Sequence, residues 1–197
     1  MSLGPLNLAS ELEAIVSEYR AEGQFAQLRD RLGALARHTT PDAIVLAAEP
    51  YRDDPTVIAP LYEVVVEAQP TNARALVILA NAYWLVGAGP DVVGDLATRA
   101  IAADAENRGA WHLWSLSESD PRRRAQRWHQ VAQRFPSDDL ALANLADNAA
   151  SVAGAEQDYG MLDLAVETYE ALLSRAEQPE QRAALETALG ALKGWKF

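Results

Sequence analysis

At 197 residues, with 49% apolar side chains, the chain is long enough for one sizeable core or a continuous stack of small units, and its apolar fraction excludes disorder. A formal net charge of -11 excludes a general phosphate-binding role, because affinity for a polyanion rests on Lys and Arg releasing its counterions. The absence of Cys excludes disulfides and thiolate metal sites, and the abundance of Ala points to a core of closely approaching helices.

No apolar run is long enough to span a bilayer. No charged-then-apolar signal segment opens the sequence, so a cytoplasmic home is expected, with the periplasm as the alternative if an upstream signal was removed. Met1-Ser2-Leu3 reads as a native start or as an expression scar. The cations are almost all Arg, with Lys only at Lys193 and Lys196. The acidic excess serves solubility and favours partners with basic patches.

In chain order, residues 10–20 place Leu12, Ile15, Val16 and Tyr19 on one helical stripe, and residues 25–37 do the same with Leu28, Leu32 and Leu35. Gly23 separates the two, giving an N-terminal hairpin or cap over 8–40. Pro41 opens a helix carrying Ile44, Ala47, Ala48 and Tyr51 on one face, frayed by Pro50. Asp53-Asp54-Pro55 turns the chain into a second helix with Ile58, Tyr62 and Val65, stopped at Pro70; Pro60 falls in its opening turns. The next hairpin is the best patterned, with Leu76, Leu79, Ala80 and Tyr83 before Gly87-Ala88-Gly89-Pro90 and Val93, Ala97 and Ala100 after it.

A shorter pair follows, with Trp111, Trp114 and Ser115, a turn at Ser119-Asp120-Pro121, and Ala125, His129 and Ala132 before Pro136. Residues 138–153 carry Leu142, Leu145, Ala146 and Ala149, and their return helix carries Ala165, Tyr169 and Leu172. The intervening 154–160 reads as a longer loop, bounded by Gly154 and Gly160. A last amphipathic helix over 181–192 presents Leu185, Ala188, Leu189 and Leu192, and suits a solvating cap on an open-ended stack.

These residues resemble the tetratricopeptide repeat family, whose helix pair shows W-x2-L-G-x2-Y and then A-x3-F-x2-A before a Pro. Leu76-x2-Leu79-Ala80-x2-Tyr83 follows the first half, and Trp111-x2-Trp114-Ser115 keeps its Trp and small residue, with Glu118 in place of Tyr. Ile58-x3-Tyr62-x2-Val65, Ala125-x3-His129-x2-Ala132 and Ala165-x3-Tyr169-x2-Leu172 follow the second half. Matches recur at a spacing of roughly 31 to 35 residues. The resemblance implies an all-α, antiparallel helix-hairpin solenoid wound as a right-handed superhelix. It has about five hairpins plus a C-terminal capping helix, in a single domain over 1–197 with units at 41–70, 72–105, 107–136 and 138–178 and the cap at 180–194. Small Ala80, Ala100 and Ala132 let paired helices approach, while Leu79, Tyr83, Trp111 and Tyr62 fill the space between pairs.

The resemblance also implies that the first helices line a concave face that holds an extended peptide or a partner's helix. That nominates Asp42, Val45, Glu49 and Arg52, then Arg74, Val77, Asn81 and Trp84, then His112 and Leu116, then Asn144 and Asp147. Asn81 and Asn144 stand out because an Asn amide both donates to and accepts from a peptide backbone. In relatives that dock chaperone C-terminal tails, a two-carboxylate clamp of Lys, Asn, Asn, Lys and Arg occurs. Here Val77, Asn81, Leu113, Leu140 and Asn144 stand at those places and only Asn81 agrees, which disfavours that ligand.

Arg122-Arg123-Arg124, with Arg127, Arg134 and Trp128, reads as a solvated face opposite Ala125, Ala132 and Phe135 in preference to a nucleic-acid patch with a stacking platform. His38, His112 and His129 lack metal-ligand spacing, and no nucleophile, oxyanion loop or phosphate cradle accompanies the acidic residues. The 195–197 tail, with Trp195 and Phe197, either packs on the final helix or presents an apolar end to a neighbour. The expected function is a noncatalytic protein-protein interaction scaffold without cofactor or metal, not binding nucleic acid, whose partner is a protein or peptide. Alternatives are a homo-oligomerisation module and, by fold analogy alone, a bacterial envelope assembly factor such as one serving cytochrome c maturation.

Overall fold

Asp, Asn and Pro write the helix starts of this chain. Pro41, Pro55, Pro90, Pro121 and Pro179 each stand at a first helical position, where the missing N–H costs nothing. The side chains of Asp54, Asn72, Asp120, Asp138 and Asp158 accept from backbone N–H groups two or three residues further on. Caps of this kind stabilise by about 1 kcal/mol each.

The structure, a computed structural model, describes residues 5–197; the Met1-Ser2-Leu3 start lies outside the described residues. Its elements are α1 (Pro5–Glu22), α2 (Phe25–Arg37), α3 (Pro41–Ala48), a 3-10 turn (Glu49–Tyr51), α4 (Pro55–Ala68), α5 (Ala73–Val86) and α6 (Pro90–Ala103). They continue with α7 (Arg108–Leu116), α8 (Pro121–Arg134), α9 (Asp139–Glu156), α10 (Tyr159–Arg175) and α11 (Pro179–Lys193), and no strand occurs among the described residues. Short turns between neighbours make the fold one of antiparallel helix hairpins, as the resemblance implied.

The helices gather into two compact units, one ending at Leu113 and the other beginning at Trp114. In the first unit α4 is central and packs on α2, α3 and α5, while α5 also packs on α6. Leu76, Leu79 and Ala80 of α5, Val93, Ala97 and Ala100 of α6, and Ile58, Tyr62 and Val65 of α4 are all buried. The second unit packs α9 on α8 and α10, and α10 on α11; Ala149, Ala153, Leu162, Ala165 and Leu192 form one core cluster there. Its alanines let the helix backbones approach closely, and the leucines fill what remains.

One local expectation changes and two become definite. Residues 154–160 are not a long loop: α9 runs on to Glu156, Gln157 takes the left-handed conformation at φ 54°, and Asp158 caps α10. Gly154 marks a close approach and not a turn, because a Cβ there would lie 3.1 Å from the Trp195 ring. Pro60 sits beyond the free first turn of α4, inside the helix, so the Thr56 carbonyl loses its ladder partner. The 195–197 tail folds back on its own unit: the Phe197 ring meets those of Tyr159 and Trp195 edge-on, at 5.1 and 5.9 Å. The Tyr159 hydroxyl also donates to the Phe197 carbonyl and accepts from its N–H, both at 3.0 Å.

Candidate partner-binding groove

α3 and α5 each carry a helical stripe that the core does not use. On α3 the stripe is Asp42, Val45 and Leu46, continued at i+7 by Glu49, the first residue of the 3-10 turn, and it borders a cavity of about 510 Å³. Across that cavity stand Arg74 and Ile78 of α5 and Tyr62 of α4. A second cavity, of about 370 Å³, continues along α5 past Val77, Asn81 and Leu85, and is closed by Arg52 and Asp53 of the α3–α4 turn. Ile78 borders both, so the two cavities form one groove with two lobes.

The charges round the groove are loosely held. Glu49 lies 3.6 Å from both Arg52 and Arg74, and all three are exposed. Exposed pairs of this kind contribute about 0–1 kcal/mol, so a ligand can displace them. Burial, and then the Glu49 charge, push the Tyr62 phenol above its usual range, against the opposing pull of Arg74 and Arg52, so its hydroxyl stays neutral. Asn72, at the start of α5, is fully engaged: its Oδ1 accepts from Ala75 N–H and its Nδ2 donates to Gln69 Oε1. Asn81 is exposed, and among the described residues no hydrogen bond ties its amide.

Of the nominated residues, Asp42, Val45, Glu49 and Arg74 border the first lobe, and Arg52, Val77 and Asn81 the second. The others stand elsewhere. Trp84 is exposed on α5 outside both lobes, and His112 and Leu116 are half-buried on α7. Asn144 and Asp147 belong to α9 in the second unit, and both are engaged internally. Asn144 Nδ2 donates to Leu140 O at 2.8 Å, and Asp147 accepts from the Tyr169 hydroxyl, whose pKa burial and then that hydrogen bond push up. Leu46, Tyr62, Ile78 and Leu85 border the groove without having been nominated. Leu46, at 66% exposed, was the legible signal among them: a large apolar residue one turn on from Asp42, with no core to enter.

Three arginines of the α8 cluster, Arg122, Arg124 and Arg127, are engaged within their own unit, and Arg123 is exposed. Arg122 Nη2 donates to Glu156 and Asp158, both at 2.6 Å; these two carboxylates push the guanidinium pKa up, and Arg122 holds the Asp158 carboxyl below its usual range. Arg124 donates to Asn148 Oδ1 and to the Glu118 carbonyl. Arg127 lies 4.4 Å from the Trp114 ring centroid and pairs with Glu118 at 2.9 Å. Trp128 is 1% exposed, which rules it out as a stacking platform.

Among the described residues, no group of three or more His, Asp or Glu side chains converges as a metal site, and no helix is long and apolar enough to cross a membrane. No protein-family model matches the chain, and no curated protein matches it in sequence. The fold does have solved counterparts. A crystal structure of MamA superimposes with a TM-score of 0.58 at 18% identity, covering 80% of this chain and 91% of that one. A second MamA crystal structure gives 0.57 at 16% identity, covering 87% and 96%. At such identities the likeness establishes the fold, a tetratricopeptide-like arrangement of helix hairpins, and leaves function to the site.

Proposed function

We propose that this protein is a noncatalytic helical-repeat scaffold, tetratricopeptide-like in kind, that binds a peptide or partner protein along the α3–α5 groove of its first unit. The observation that carries the reading is the groove itself: two adjoining cavities whose walls combine aliphatic side chains, an unengaged amide and loosely paired ions. That mixture suits recognition, with apolar area for affinity and a few polar groups to fix register. Helices already packed on a core lose little freedom when a ligand arrives, which keeps the entropic cost of binding low.

The test compares the chain with its Leu46→Arg/Asn81→Ala variant as bait for capture from the native cell. Both positions are exposed, so circular dichroism should be unchanged. A partner should be retained by the wild-type chain and by a Trp84→Ala control, and lost from the double variant. Equal retention by all three would place binding outside the groove.

A further inference from the structure

We infer that the groove's ligand is an extended segment carrying a Lys or Arg followed or preceded by two large apolar side chains two positions apart. The inference deepens the groove reading and rests on it. It starts from Asp42. Glu49, at the far end of the same stripe, is held between two arginines, whereas among the described residues Asp42 has no ion pair, and it borders the larger lobe. The walls contribute three carboxylates, Asp42, Glu49 and Asp53, against two guanidiniums, Arg52 and Arg74, on a chain of net charge -11. Charge complementarity therefore calls for a cation on the ligand. Asp53, on the smaller lobe, also has no ion pair among the described residues, and the cation falls to Asp42 because it stands beside exposed Leu46 on the larger lobe.

Spacing sets the rest of the pattern. The α5 residues of the first lobe centre near Leu76 and those of the second near Asn81, so at a helical rise of 1.5 Å per residue the lobes lie about 7 Å apart along α5. An extended chain rises about 3.3 Å per residue and turns alternate side chains to one face, so residues i and i+2 reach the two lobes together. A helical ligand could span a similar distance with i and i+4, but its backbone is satisfied internally. The exposed, unengaged amide of Asn81, in the second lobe, suits a backbone that still needs a donor and an acceptor. The Glu49–Arg52 contact lies where the lobes meet and Asp42 at the opposite end of the α3 stripe, so the ligand's cation flanks the apolar residue seated in the first lobe.

A random peptide library displayed on phage, selected on the full chain, supplies the probe. Selected peptides are then synthesised with a fluorophore and titrated by polarisation against wild type and variants. The expected result is enrichment of a basic residue beside an apolar-x-apolar pair. Binding should weaken about two- to fivefold with Asp42→Asn, as an exposed ion pair predicts, and about tenfold or more with Asp42→Lys. Peptides that are acidic, or that respond to Asn81→Ala and Leu46→Arg but not to Asp42→Lys, would overturn the inference and leave the groove reading standing. Selection of no peptide, or of peptides indifferent to all four substitutions, would remove both.

Discussion

A single carboxylate ties three helices of the first unit together. Glu63 Oε1, on α4, accepts from the Arg29 guanidinium of α2 and from the Tyr83 hydroxyl of α5, each at 2.7 Å. Burial, and then the hydrogen bond to Glu63 and its charge, push the Tyr83 pKa up to about 12. An unfolded tyrosine ionises near 10. Between about pH 10 and 12 the native chain therefore keeps a proton that the unfolded chain releases, and stability falls as pH rises through that window. Tyr83→Phe should cost about 1 kcal/mol near neutral pH, the usual net value of a hydrogen bond, and should flatten the alkaline loss. Urea titrations at neutral and alkaline pH measure both, and an unchanged alkaline slope in the variant would refute the assignment. Tyr83's packing role was legible because its spacing from Leu76 and Leu79 repeats a helical pattern. Its partner was not, since nothing in a local pattern says which acid on another helix a phenol will meet. Asn144 shows the same limit in reverse: its amide donates to the carbonyl four residues back, a bond available to many helical asparagines and invisible in spacing.

Helix boundaries follow rules that sequence states well, which is why the starts at Pro41 and Asp54-Pro55 read correctly from residue order, whereas the Asp158 cap of α10 was hidden in an expected loop. Glycine is more ambiguous, and the α9–α10 junction shows why. Gly154 serves a contact with Trp195 inside a helix, whereas the residue that actually ends the helix is Gln157, held at φ 54°. An L-residue with a Cβ in the left-handed region costs roughly 1–2 kcal/mol, a cost glycine avoids. Gln157→Gly should therefore raise stability, by up to about 1 kcal/mol after the glycine's greater unfolded-state freedom is set against it. Thermal melts of the two proteins decide the point, and a lower midpoint in the variant would show that the Gln157 side chain matters more than its backbone. The groove was half legible for a related reason. The family resemblance located the stripes of α3 and α5, but the apolar wall at Tyr62 and Ile78 arises from packing between helices.

At the scale of the whole molecule, repeat architecture makes stability a sum of local terms and nearest-neighbour interfaces, so damage need not spread evenly. Each unit has its own buried core: α4, α5 and α6 share one, and α9, α10 and α11 another. Leu79 lies within the first, 3% exposed, on the helix that contacts both α4 and α6. Leu79→Ala leaves a cavity there and should cost roughly 2–5 kcal/mol. If the cores are energetically separate, native-state hydrogen exchange in this variant accelerates through α4, α5 and α6 while amides of α9 and α10 keep their protection. Uniform acceleration along the chain would instead mean that the two units open as one, with the cost of a cavity in the first carried by both. The outcome also bears on binding, because a groove built on α3 and α5 then owes its rigidity to the first core alone.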